Sequence, residues 1–363
     1  MKRKLIAGTA AALLAAVSFL PVPTVALSAE KAILMDAVTD SVLFEKNADS
    51  RSLIASTTKI MTALVICEQC NVLDRMRIPK EAVGIEGSSM YLKEGEVLTI
   101  QELLYGLMLQ SGNDAAVALA IYCGGTVEGF VQLMNDKARI LGMKDSHFVN
   151  PNGLDAPEHY STARDLAVLA AYAMENPIFY QTVSAKNVRI GERCLTNHNK
   201  LLWRVEGADG VKTGYTRAAG RILVSSATRQ GRRLIGVTIN DPDDWNDHSK
   251  LLKEGFANYE IRQIVRKGDV LGAVEIAGGQ TGEVRLVAEK DFWYAVSSGE
   301  TVTVRLTGPG FVYAPVAEGG QAGFAHILIN SRDVGDVPLV FGQTVEQEVQ
   351  EEKGLLERLL GRD

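Results

Sequence analysis

Residues 54–67 read IASTTKIMTALVIC, an apolar run broken near its start by a hydroxyl cluster and one lysine. From Ile60 to Ile66 every position except Thr62 is apolar, so a helix here has no face to offer to water and belongs at the centre of a fold. That placement makes Lys59 the difficulty. Removing an ammonium from water is costly unless the group is paired or gives up its proton. Two readings stand on this stretch alone. In one, Ser56 caps the helix and Lys59 reaches outward along its stem; in the other, the chain holds a perturbed amine beside a serine.

The chain has 363 residues, enough for two or three domains, and its 46% hydrophobic and 23% charged residues are those of an ordinary globular protein. Residues 1–28 differ. MKRK is cationic, LIAGTAAALLAAVSFL is apolar and PVPTVALS ends in small residues, the layout of a secretory signal peptide with cleavage expected near Ala26–Ala29. An uncleaved membrane anchor is the competing reading, and on either one the remaining chain is exported. Losing Lys2, Arg3 and Lys4 moves the formal charge from −6 to −9, since the segment holds no acidic residue. An acidic exported protein is a poor nucleic-acid binder, and that class is dropped.

Cys67 and Cys70 have the spacing of a redox or metal half-site, but no second C-x-x-C or H-x-x-x-H completes a zinc site. No metal and no cofactor are therefore expected. The four cysteines, Cys67, Cys70, Cys123 and Cys194, read as small core residues, with one disulfide open to an exported chain.

Along the chain, residues 31–49 alternate about a turn and predict a β-hairpin; Ser56, Thr57 or Thr58 is the expected cap of the helix that follows. TIQELLYGLMLQSGNDAAVALAIY predicts helix, tight polar loop and helix, the second capped by Asn113 or Asp114. TVEGFVQLMNDKARILGM and STARDLAVLAAYAMEN are two more amphipathic helices. After Lys186 the pattern turns to strands (NVRI, GVKTGYT, and a hairpin about Arg229–Gly231), and DHSKLLKEGFANYE closes the domain as a helix. The implied fold class is α+β, an antiparallel sheet flanked by a helical lobe, over residues 29–258. Gly-rich alternating runs predict a separate small all-β domain at 260–343. The tail, 344–363, sets Leu355, Leu356, Leu359 and Leu360 on one helical face, for a membrane surface or for protein docking.

Three short motifs carry chemistry. Ser56-x-x-Lys59 heads the buried helix, Ser111-x-Asn113 sits in the interhelical loop, and Lys212-Thr213-Gly214 lies on a strand. Each is cheap alone; Ser28 and Lys31 repeat the first. Together and in this order they make one site more credible than three coincidences. Residues three apart share a helical face, and a lysine becomes a base near neutral pH when burial or a second cation, here Lys212, depresses its pKa.

On these motifs, with GSSMYLKEGE (87–96), HFVNPNGLD (147–155) and HYSTARDLA (159–167), the chain resembles the serine-type D-alanyl-D-alanine carboxypeptidases among the low-molecular-mass penicillin-binding proteins. The resemblance runs from about Lys31 to Phe256 and continues into a β-rich C-terminal domain. It implies a transpeptidase-like domain of the penicillin-binding and β-lactamase kind. It further implies Ser56 as nucleophile, Lys59 as its base and Ser111 as proton relay, with Asn113 hydrogen-bonding substrate or Lys59. Lys212 and Thr213 would bind the terminal carboxylate, and the backbone N–H groups of Ser56 and Tyr215 would form an oxyanion hole. Peptidoglycan stem peptides are the implied substrate and β-lactam antibiotics the implied covalent inhibitors. Some relatives grip the carboxylate with an arginine after the final strand; here that region reads NDPDDWND, which leaves Arg217 and Arg221 as candidates.

Three alternatives stay open on sequence. A β-lactamase of the common class needs Glu with Asn four positions on, and none of Glu128, Glu158, Glu175, Glu192 and Glu206 has it, so slow penicillin release is expected. A DD-endopeptidase would use the same chemistry. A catalytically silent wall-binding scaffold would not need the intact motifs.

Overall fold

The computed structural model describes residues 26–349; nearly all of the expected export signal and the leucine stripe of the tail, Leu355, Leu356, Leu359 and Leu360, lie outside the described residues. The chain opens with the expected hairpin, β1 (Lys31–Asp36) and β2 (Val42–Lys46). One 3-10 turn, Ala55–Thr58, then leads into α1 (Lys59–Gln69), buried throughout from Lys59 to Cys67. Thr58 stands at the N-cap position, but none of the three candidate caps acts through its side chain. The tight turn explains this. Its own bonds, from Thr57 N–H to Ile54 O and from Lys59 N–H to Ser56 O, use amides that a cap would serve.

A short pair, β3 (Arg75–Arg77) and β4 (Val97–Thr99), precedes α2 (Ile100–Leu109), which starts on a capping box between Thr99 and Glu102. α3 (Asn113–Gly124) follows, and Gly112 is its N-cap. Asn113 and Asp114 therefore do not cap it; both already belong to its first turn. α4 (Val127–Ile140) and α5 (Ala163–Ala173) begin on the side-chain caps Thr126 and Thr162. The sequence reading passes over α6 (Pro177–Ser184), although Asn176 caps it and Pro177 fills its first turn, a readable start signal. Next come β5 (Asn187–Ile190), β6 (Arg193–Thr196) and α7 (Leu201–Arg204). β7 (Ala208–Thr216), β8 (Gly220–Arg229), β9 (Arg232–Ile239) and α8 (Asp244–Asn258) follow, the last beginning ahead of the expected Asp247.

The sheet runs β2-β1-β9-β8-β7, antiparallel throughout. Both faces are covered, so Ile33 and Met35 join the helical-lobe core of Leu64 and Leu166, while Leu34 packs with Leu251 and Leu252 of α8. Burial on both sides is why β1 is a continuous apolar run rather than a clean alternation. At the open edge β7 lies against the 3-10 turn that carries Ser56. His248 is sealed between the hydroxyls of Ser225 (2.6 Å) and Thr238 (2.9 Å), and burial pushes its pKa down to about 3.

The C-terminal part comprises β10 (Tyr259–Val265), β11 (Val270–Ala277), β12 (Glu283–Ala288), β13 (Phe292–Ser297), β14 (Val302–Thr307), β15 (Phe311–Tyr313), β16 (Gln321–Ile329) and β17 (Arg332–Phe341). Six of these form a sheet in the order β14-β16-β17-β12-β11-β15, and β10 pairs with β13. They enclose a separate core around Val284, Ile327, Val337 and Leu339. Arg332 of β17 pairs with Glu45 at 2.6 Å, and Ala295 N–H of β13 donates to Ser41 Oγ at 3.0 Å, so both C-terminal sheets contact the first hairpin.

Candidate active site

The 3-10 turn sets Ser56 one turn ahead of Lys59, and at three residues per turn the two side chains are eclipsed more closely than on an α-helix. Lys59 Nζ lies 3.0 Å from Ser56 Oγ, 2.7 Å from Asn113 Oδ1 and 2.5 Å from the Asn152 carbonyl. Asn113 Nδ2 donates to Glu86 O at 2.5 Å, which fixes the amide so that its oxygen faces Lys59. The side chain of Lys59 is wholly inaccessible to solvent. Burial first, and then the Lys212 charge, hold its ammonium well below the usual lysine range; Asp114 opposes them.

This contact set has a chemical consequence. A neutral amine has two N–H donors and one lone pair. Asn113 Oδ1 and Asn152 O can only accept, so they take both donors, and the lone pair is left for the Ser56 hydroxyl. The arrangement can therefore draw the proton from Ser56.

The neighbours of this pair come from stretches that the sequence reading quoted without assigning roles. In HFVNPNGLD, Thr62 Oγ1 donates to Pro151 O at 2.6 Å, and Gly153 sits at φ +88°. A Cβ on Gly153 would come within 1.9 Å of Ala55 O, so the loop that presents Asn152 to Lys59 needs glycine there. Ala55 itself is at φ +44° and Ser111 at φ +60°, left-handed conformations that cost energy in non-glycine residues and place strain on both sides of the site. His159 Nδ1 accepts from Val149 N–H at 3.1 Å, which leaves Nε2–H to donate to Thr58 Oγ1 at 2.8 Å. Burial depresses the His159 pKa to about 4, so the ring stays neutral. In GSSMYLKEGE, Asp114 gathers the backbone N–H groups of Met90 and Leu92 and the Ser89 hydroxyl, pinning the segment that brings Ser88 to the cleft.

Lys212, on β7, is also buried, and burial lowers its pKa to about 7; its Nζ donates to Thr213 O at 2.9 Å. Gly214 lets β7 approach the turn closely, since a Cβ there would lie 3.2 Å from Thr57 Cγ2 and 3.3 Å from Ile54 O. Above this layer a cleft of about 340 Å³ is lined by Ser56, Ser111, Thr213, Gly214 and Tyr215, and also by Ser88, His198, Lys200, Arg221, Asp244 and Trp245. The structure thus brings the three motifs together, with Ser56, Ser111, Thr213, Gly214 and Tyr215 at the surface of the cleft and Lys59, Asn113 and Lys212 buried beneath.

Of the two arginine candidates, Arg217 is exposed and outside the lining, whereas Arg221 lines the cleft. Arg221 is held by Asp244 in a bidentate pair, 2.7 and 2.8 Å from one terminal nitrogen. Asp244 and Trp245 lie in the quoted stretch NDPDDWND but were given no role, because nothing local shows that the start of α8 folds back onto the cleft. For metals, among the described residues only His326, Asp333 and Asp336 on or beside β16 and β17 cluster as ligands would, and His326 Nδ1 is already engaged by Asp336 at 2.5 Å. All four cysteines are free thiols; Cys67 is buried as expected, Cys70 and Cys123 are half-buried, and Cys194 is exposed, against expectation.

Residues 19–243 match the family model described as D-alanyl-D-alanine carboxypeptidase, and residues 259–347 match that of the penicillin-binding protein 5 C-terminal domain. The chain is 34% identical to the D-alanyl-D-alanine carboxypeptidase DacD of Salmonella typhimurium, covering 91% of this chain and 89% of that one. It is 34% identical to DacC of Escherichia coli, over 87% and 84% of the two chains. Penicillin-binding protein 5 of Haemophilus influenzae superposes with a TM-score of 0.76 at 31% identity, over 90% of this chain and all of the other. With both halves matched and the site geometry in place, the chain belongs to the serine D-alanyl-D-alanine carboxypeptidases of the penicillin-binding type, enzymes that work through an acyl-enzyme and bind penicillin.

Proposed function

We propose that Ser56 is the nucleophile of this enzyme and Lys59 its general base, acting on exported peptidoglycan stem peptides that end in D-alanyl-D-alanine. The observation that carries the reading is the saturated contact set of Lys59, in which only Ser56 can use the lone pair. Ser56 attacks the carbonyl between the two D-alanines, and its proton passes to Lys59. The backbone N–H groups of Ser56 and Tyr215, both at the cleft, receive the oxyanion. Ser111 relays a proton to the departing D-alanine nitrogen, and water then releases the acyl group. Asn113 holds Lys59 in register.

Carboxylate recognition divides between two layers. Thr213 and Arg221 meet the carboxylate in the cleft, and Lys212 beneath them supplies positive potential while it is protonated. We place the catalytic unit at 29–258, the small β domain at 260–343 and an amphipathic segment at 344–363, for a membrane surface or for protein docking, with residues 1–28 as export signal.

Fluorescent penicillin should label the wild-type chain covalently, with the adduct mapped to Ser56 by mass spectrometry and absent from Ser56→Ala. An adduct retained in that variant would overturn the assignment. Pentapeptide ending in D-Ala-D-Ala should lose one D-alanine; release of product from crosslinked muropeptide alone would make the enzyme an endopeptidase instead.

A further inference from the structure

We propose that Lys200 and Trp245 form a specificity wall for the residue that leaves, favouring a D-amino acid with an anionic side chain over its neutral counterpart. This wall presupposes the reading above in which Arg221 meets the terminal carboxylate, since that contact fixes which part of the substrate reaches it. Trp245 opens α8, and its ring lies against two cations of the cleft: Arg221 Cζ is 5.8 Å from the ring centroid and Lys200 Nζ is 6.0 Å from it. A cation near an aromatic face is held in place without being neutralised.

The backbone that delivers Lys200 is fixed by two asparagines. Asn197 Nδ2 donates to Val183 O at 3.1 Å and to Ala185 O at 3.0 Å, and its Oδ1 accepts from Asn199 N–H at 2.9 Å. Asn199 Nδ2 donates to Gly210 O at 2.8 Å, which ties this stretch to β7 two residues ahead of Lys212. Asn197 and Asn199 are buried while His198 and Lys200 are exposed, and both exposed residues line the cleft.

The charges of the lining decide what such a wall selects. Arg221 and Asp244 neutralise one another as an ion pair at 2.7 Å. Burial, and then the Lys212 charge, push His198 toward its neutral form. Among the described residues Lys200 has no carboxylate within ion-pair distance, which leaves it the uncompensated charge of the lining. With the α-carboxylate of the leaving residue at Arg221, the side chain of that residue faces Trp245 and Lys200. D-Alanine offers them only a methyl group, whereas a side chain ending in a carboxylate gains the ammonium as a partner.

The test gives the purified full chain peptides that are identical up to the penultimate D-alanine and end in D-Ala, D-Glu, D-Gln or D-Lys, and measures the amino acid released. The kcat/KM for D-Glu should exceed that for D-Gln by roughly 3- to 5-fold, the worth of one solvated ion pair, with D-Lys lowest. Added salt should shrink the ratio, which a purely structural part for Lys200 would not predict. Lys200→Gln should bring the ratio to about one, and in Lys200→Glu the D-Lys peptide should overtake the D-Glu peptide. Each ratio is taken within one enzyme, so a general loss of activity cancels, and the wild-type series needs no variant to fold. Equal release of D-Glu and D-Gln by the wild type, or a ratio that Lys200→Gln retains, would overturn the wall. With penicillin labelling of Ser56 intact those results sink the wall alone, whereas absent labelling removes the reading on which it stands.

Discussion

Lys59 Nζ donates to Asn113 Oδ1 across 2.7 Å, joining the first residue of α1 to the first residue of α3. The contact ties together two helices that are far apart in sequence, and it leaves Lys59 no freedom to turn away from Ser56.

A base that must shed its proton cannot be replaced by one that never does. Lys59→Arg keeps the charge but not the lone pair, so acylation by penicillin should fall about 10³-fold or more while the far-UV circular dichroism stays that of the folded chain. Normal acylation by that variant would show that another group takes the Ser56 proton.

Lys212 lowers the pKa of Lys59 by charge repulsion. Removing that charge in Lys212→Gln makes protonated Lys59 less unfavourable, so its pKa rises and neutral Lys59 appears only at higher pH. The acid limb of the acylation rate should move to more alkaline pH, and a profile that keeps its acid limb would break the link between the two lysines.

Arg221 is the cation in the cleft that Asp244 orients. Arg221→Gln should raise KM about 10- to 100-fold for a peptide ending in a free carboxylate, the worth of one charged hydrogen bond, and should change KM far less for the amidated peptide. Equal effects on both peptides would assign Arg221 a purely structural part.

Gly153→Ala places a methyl where Ala55 O stands 1.9 Å away, on a backbone at φ +88°. The variant should lose a few kcal/mol of stability in denaturant titration, and its surviving folded fraction should acylate slowly because Asn152 no longer holds Lys59. A variant of wild-type stability and rate would mean that the loop yields cheaply.

His159 is neutral in the fold, with its pKa lowered by burial from 6.5 to about 4. The unfolded chain takes up a proton there as pH drops below about 6.5, while the folded chain does not until about 4. Stability should be full above that window and fall through it, by roughly 3 kcal/mol from this residue, and His159→Gln should flatten that part of the melting-temperature profile. An unchanged slope would place the acid sensitivity elsewhere, His248 being the next group to examine.

Much of this was readable from local pattern. The central helix follows from the apolar residues 60–66, the hairpins and amphipathic helices from period and turn residues, and the three motifs from their order. These are properties of neighbours in sequence, which is where hydrophobic periodicity and turn chemistry act. Caps were less legible: Ser56, Thr57 and Thr58 look like helix starters, yet a 3-10 turn serves the same amides with backbone carbonyls. Among the partners of the site, Asn113 beside Lys59 was expected from the family resemblance, whereas the others were not legible. The Asn152 carbonyl, the close fit of Gly153 to Ala55 and Asp244 behind Arg221 join segments from 23 to 98 residues apart. The sequence by itself determined that a lysine would stand beside a serine at the head of a buried helix. Only the tertiary structure decided that this lysine could be a base, because its desolvation and the two acceptors that orient its lone pair come from chain that the helix does not contain.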